Sequence, residues 1–80
     1  MTNPIKRFLS ERRMSAQQAA IVTGMNVETF RNYLNGGPAS INWRAADKFA
    51  RLGLDPGKLM IDYAEWREDE ARRLQETSRK

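Results

Sequence analysis

Helix-starting residues recur along this chain at short intervals, and that punctuation narrows the possible folds more than any other feature. Asn3-Pro4, Ser15, Asn26, Asn42 (or Ser40, two residues earlier) and Asp55-Pro56 each stand just ahead of a segment with helical apolar spacing. Side-chain oxygens at such positions accept from the free N–H groups of a first helical turn, and proline fits the first helical position. Gly24 follows its segment where a left-handed backbone is needed, and Gly36-Gly37-Pro38 and Gly53 end two others. The pattern predicts helices over residues 4–13, 16–23, 27–35 and 43–52, and a fifth from residue 56. The fold class is all-α, five helices with short connections and no strands.

Each helix carries a stripe that can be buried. Ile5, Phe8 and Leu9 stand at i, i+3, i+4 in the first, and Ala19 and Ala20 allow close approach to the second. Met25 is expected to turn inward after Gly24. Trp43, Ala46, Phe49 and Ala50 are expected to form the inner face of the fourth helix, with Arg44, Lys48 and Arg51 outside and Leu54 buried beside it. In the last helix Leu59, Met60, Tyr63, Ala64, Trp66, Ala71 and Leu74 share an arc of roughly 160°, interrupted by Arg67 and Glu70.

The third helix is the most sharply divided. At 100° per residue, Val27, Glu28, Arg31, Asn32 and Asn35 fall within roughly 140°, with Thr29 at the edge. Phe30, Tyr33 and Leu34 occupy the opposite side, within about 100°. One side can bury three large apolar groups while the other presents a guanidinium, two amides and a carboxylate.

Composition removes several classes of function. The 80 residues contain no cysteine and no histidine, so disulfides, thiolate metal sites and imidazole acid–base chemistry are unavailable. Gly36-Gly37-Pro38 is read as a linker, because no strand precedes it and no lysine follows in the register of a phosphate loop. The acidic residues Glu65, Glu68, Asp69 and Glu70 are interspersed with Arg67, Arg72 and Arg73, which favours a salt-bridged helix face over a cation site. No enzyme activity, cofactor, metal or small-molecule ligand is expected. No apolar run reaches bilayer length and residues 1–13 lack a signal peptide's apolar centre, so a soluble, cytoplasmic protein is expected. The net charge is +4, distributed as +3 over residues 1–13, +2 over 14–53 and −1 over 54–80. The positive excess therefore surrounds the divided helix, an arrangement that suits a nucleic-acid partner.

Residues 15–36, SAQQAAIVTGMNVETFRNYLNG, resemble the helix-turn-helix of the lambda repressor/Cro-like (XRE) family of DNA-binding domains. Ser15 matches its cap, Ala20 its small-residue position, Gly24 and Met25 its turn. Phe30 and Tyr33 match the inward positions of its recognition helix, and Asn35-Gly36 its closing pair. INWRAADKFARLGLDPGKLM (residues 41–60) looks like the family's fourth and fifth helices, so the resemblance runs from Pro4 to Tyr63. Two positions depart from the pattern: Ala16 stands where glutamine is usual, and Thr23 where an apolar residue is usual.

The resemblance implies a sequence-specific double-stranded DNA-binding regulator of phage or prokaryotic type, a repressor bound to a pseudo-palindromic operator as a homodimer. Carried over, the base-reading positions are Val27, Glu28, Arg31 and Asn32. Arg31 suits guanine, Asn32 adenine and Val27 a thymine methyl. Glu28 would either accept from cytosine or buttress Arg31 through an i, i+3 pair. Ser15, Gln17, Thr29 and Asn35 are candidate contacts to the DNA backbone. Residues 1–63 would form the DNA-binding domain. Residues 64–80 would be a charged extension, either a fraying tail (disordered from residue 77) or a helix packed on a second subunit through Tyr63, Trp66 and Leu74. The competing expectation is a protein-interaction module, an antitoxin or adaptor, holding a partner with that same helix.

Overall fold

The computed structural model describes residues 2–78, with side chains to residue 76. Its architecture is all-helical: α1 (Pro4–Arg12), α2 (Ala16–Thr23), α3 (Val27–Leu34), α4 (Trp43–Phe49) and α5 (Pro56–Ser78), with a 3-10 turn (Ala50–Leu52) between the last two. No strand occurs among the described residues.

The expected caps form. The Asn3 side chain accepts from the N–H groups of Ile5 and Lys6, and Asn26 from that of Glu28. Asn42, rather than Ser40, caps α4 through the N–H of Ala45. Asp55 receives the N–H of Lys58 at 3.0 Å. Ser15 and Gln18 make a reciprocal capping box, which satisfies two free donors at once. Gly24 turns left-handed at φ 73° and separates α2 from α3. The α1 boundary differs from expectation by one residue: Arg13 leaves the helix at φ 53°, a conformation that strains a residue bearing a Cβ.

Ile5, Leu9, Ala19, Ala20, Phe30, Ile41, Ala45, Ala46, Phe49, Leu59 and Tyr63 form one core to which every helix contributes. A line of rings ties α3, α4 and α5 together. Centroids lie 5.5 Å apart for Phe30–Phe49, 5.3 Å for Tyr33–Phe49, 6.1 Å for Tyr33–Tyr63 and 5.7 Å for Tyr63–Trp66. Such tilted and edge-on pairs add about 0.5–1.5 kcal/mol each beyond their burial.

Several expectations need correction. Trp43 is 66% exposed: it is the first residue of α4, and its neighbour Ala45 fills the inner face instead. The last turn of the expected fourth helix tightens into the 3-10 segment, with Gly53 ending it at φ 104°. Leu54 is only half-buried. Helix α5 continues through residues 77 and 78, where a disordered tail was expected; residues 79 and 80 lie outside the described residues. At 1.5 Å per residue this helix is about 34 Å long, and the molecule measures 42 × 22 × 21 Å. So α5 runs along the long axis, and residues 71–76 are all exposed. No helix of the described residues is long and apolar enough to cross a membrane.

Candidate functional site

The turn between α2 and α3 comes from three adjacent residues. Gly24 supplies the left-handed step, Met25 packs against the core, and Asn26 opens the next helix. The N–H of Met25 returns to the carbonyl of Ala20 at 3.0 Å, closing the end of α2. Arg51 donates to the carbonyl of Thr23 at 3.3 Å, placing a cation at the negative end of α2. Thr23 itself is fully buried, and its hydroxyl donates to the carbonyls of Ala19 and Ala20 at 2.9 and 3.0 Å. The polar atom at this otherwise apolar position is thereby satisfied within its own helix.

Helix α3 is anchored by Phe30, wholly buried, and by half-buried Tyr33 and Leu34. On its other side Glu28, Thr29, Arg31, Asn32 and Asn35 are all exposed, while Val27 is half-buried and packs partly on the core. Ser15 and Gln17 are exposed at the start of α2. The oxygen and N–H of Ser15 are engaged in the capping box, which leaves its hydroxyl proton to donate. The i, i+3 ion pair considered for Glu28 and Arg31 is not formed among the described residues; both side chains face solvent. The open face thus combines a five-donor guanidinium, two amides that donate and accept, a hydroxyl and one carboxylate.

No protein-family model, curated protein or solved structure matches the chain.

The remaining expected site residues lie on α5. Tyr63, assigned to a subunit contact, is 0% exposed within the single chain, so it has no surface to offer a partner. Its hydroxyl donates to the carbonyl of Pro38 at 2.6 Å. Burial pushes this phenol above its ordinary pKa, while the Arg67 cation beside it pulls the other way. Trp66 is half-buried, with its ring against Gly36, and Leu74 is 68% exposed. The packed part of α5 therefore extends past residue 63, to Arg67.

Three positions carry more than their spacing indicates. Asn3 caps α1 and is 3% exposed, because its Nδ2 also donates to the carbonyls of Tyr33 and Leu34 at 3.1 and 3.0 Å. Arg67, an interruption in the apolar stripe, donates to the carbonyls of Gly36, Gly37 and Pro38. Arg51 holds the end of α2. In the sequence Arg67 stands out only as one of two charged residues, with Glu70, inside the apolar arc of α5; its partners are not indicated there.

Proposed function

We propose that this chain is a sequence-specific double-stranded DNA-binding regulator of the lambda repressor/Cro-like kind, with α2 and α3 as its helix-turn-helix. The reading rests above all on the division of α3. Its inner side is held by Phe30, Tyr33 and Leu34, whereas Arg31, Asn32 and Asn35 are exposed and make no side-chain hydrogen bond among the described residues. A helix of about 10–12 Å diameter with such a face fits a major groove about 12 Å wide. Arg31 would read guanine and Asn32 adenine; Glu28 would accept from cytosine. Val27, half withdrawn, would offer only its outer methyl to thymine. Ser15, Gln17, Thr29 and Asn35 would hold phosphates, and the basic residues of the first 53 positions would supply a general attraction.

Two copies reading half-sites about 34 Å apart would give a symmetric operator, with the exposed half of α5 around Leu74 as the subunit contact. The exposed Leu74 also supports a second reading, in which this half of α5 holds a different protein.

Selection of bound sequences from a random duplex pool tests the proposal, with a two-fold-symmetric site expected. In Arg31→Ala, preference for the selected site over a scrambled one should fall by about 5–150-fold, as expected for one lost bidentate base contact. Binding to the scrambled duplex should change far less. If wild-type protein enriches no sequence and its duplex binding ignores salt, the proposal fails.

A further inference from the structure

Helix α3 has eight residues, fewer than an isolated helix needs to persist in water. Its last four carbonyls have no partner in a regular helix, and in this chain all four are met. Those of Arg31 and Asn32 accept from the N–H groups of Asn35 and Gly37, each at 2.9 Å. Those of Tyr33 and Leu34 accept from Asn3, 30 and 31 residues away. The chain then turns at Gly36, φ 77°, and three successive carbonyls point to one place.

That place is occupied by a single guanidinium nitrogen. Nη1 of Arg67 donates to the carbonyls of Gly36, Gly37 at 3.1 Å and Pro38 at 2.9 Å, its two hydrogens shared among the three. The ring of Trp66 covers the same turn so closely that a Cβ on Gly36 would lie 2.6 Å from Cη2. Hydrogen bonds from a cation are roughly twice as strong as neutral ones, and three carbonyl dipoles converging without it would repel one another. Arg67 is thus the one group that engages all three carbonyls of this turn, with the Tyr63 hydroxyl also donating to that of Pro38.

We infer that Arg67 is a positioning residue for the reading face: by clasping residues 36–38 it sets where the C-terminal half of α3, with Arg31 and Asn32, points. The inference rests on the proposed DNA reading for its functional half and on the hydrogen-bond geometry for its structural half. The clasp also makes α5 a lever on α3, since Trp66 and Arg67 both stand about two turns before the exposed Leu74.

Two variants and two measurements test it. Arg67→Met keeps an apolar stem and removes the donors; Arg67→Lys keeps a cation with three donors, as many as there are carbonyls. By amide hydrogen exchange, the N–H groups of Asn35, Gly36 and Gly37 in Arg67→Met should exchange about tenfold or more faster than wild type. Those of Ala19 and Ala20 in α2 should stay within about twofold, and Arg67→Lys should lie near wild type. In duplex binding, Arg67→Met should lose about fivefold or more of the preference for the selected site while holding scrambled duplex almost as before. Unchanged exchange at residues 35–37, equal acceleration in α2, or no advantage of lysine over methionine would each overturn the clasp. Loosened exchange with preference intact would overturn its role in reading. Should wild-type protein show no preference among duplexes, the DNA reading falls by itself and the exchange result still decides the clasp.

Discussion

Replacing Gly36 by alanine isolates the contact between the end of α3 and α5. At φ 77° a Cβ is strained wherever it is placed, at about 1–2 kcal/mol. Here it would also meet the indole of Trp66 at 2.6 and 2.9 Å, an overlap that costs about 1–3 kcal/mol when a packed core has to shift. The lower entropy of the unfolded alanine chain offsets about 0.4–1 kcal/mol of this in the variant's favour. The net expectation is a loss of about 1–4.5 kcal/mol, set against a total near 4–12 kcal/mol for a domain of this length.

Gly24→Ala is the matched control. Its φ of 73° is nearly the same, but the added Cβ meets only the Nη1 of Arg51 at 3.1 Å, the far end of a side chain that can swing away. Its cost should be the backbone strain plus at most part of the 3.3 Å bond from Arg51 to Thr23, about 1–2 kcal/mol after the same unfolded-chain offset. Urea unfolding followed by helical circular dichroism measures both, with an unchanged slope confirming that the same surface is exposed. In a Trp66→Leu background the extra penalty at Gly36 should disappear, because the colliding ring is gone. The reasoning is refuted if Gly36→Ala costs no more than Gly24→Ala, or if the penalty is the same with leucine at 66.

Asn3→Ala removes a cap and two donors to the α3 carbonyls, for about 2–4 kcal/mol in urea unfolding. Asn3→Asp keeps the cap acceptor but sets a carboxylate oxygen against those two carbonyls at a buried position, so near neutrality it should cost at least as much as alanine; a cost well below alanine's would show that the amide donors contribute little. Tyr63 gives a pH dependence. Its folded pKa is raised by burial, so its contribution is complete below about pH 10 and is lost as pH climbs through the folded value, where the unfolded chain ionises first. The urea midpoint should therefore drop more steeply above about pH 10 in wild type than in Tyr63→Phe; parallel curves would contradict the assignment. On the proposal that two copies join through α5, Leu74→Glu should shift sedimentation from dimer to monomer with helicity retained; an unchanged dimer would move the subunit contact off α5, and a monomeric wild type would remove it.

The local part of the fold was legible because its causes are local. Asn3, Ser15, Asn26, Asn42 and Asp55 cap helices within three residues of themselves, and Gly24 and Gly53 turn where a periodic segment ends. The exposure of Arg31 and Asn32 followed from helical period once Phe30 and Tyr33 were placed inside. The misplacements share a different origin. Trp43 sits on the apolar arc of α4 by angle, yet the first residue of a helix projects past its neighbours, and small Ala45 takes the inner position. Tyr63 was set at a subunit contact because its stripe is long, but the loop at Pro38 folds back over it, twenty-five residues distant. Asn3 and Arg67 act across thirty and about thirty residues, a separation at which periodicity carries no information.

The two ends of α3 are held by different kinds of interaction, and this asymmetry bears on how the proposed reading face would respond to change. Its start is fixed locally by Asn26 and the Gly24 turn, which move with α2. Its end is fixed by Asn3 from α1 and by Trp66 and Arg67 from α5. A disturbance of α5, whether by substitution or by a partner on Leu74, should therefore displace Arg31 and Asn32 more than Val27 and Glu28, because the helix would pivot about its capped start. Base preference should then degrade in order along the half-site, first at the positions read from the C-terminal half of α3. A uniform loss across the half-site would mean instead that α2 and α3 move as one body and that the clasp at residues 36–38 follows α3 rather than directing it.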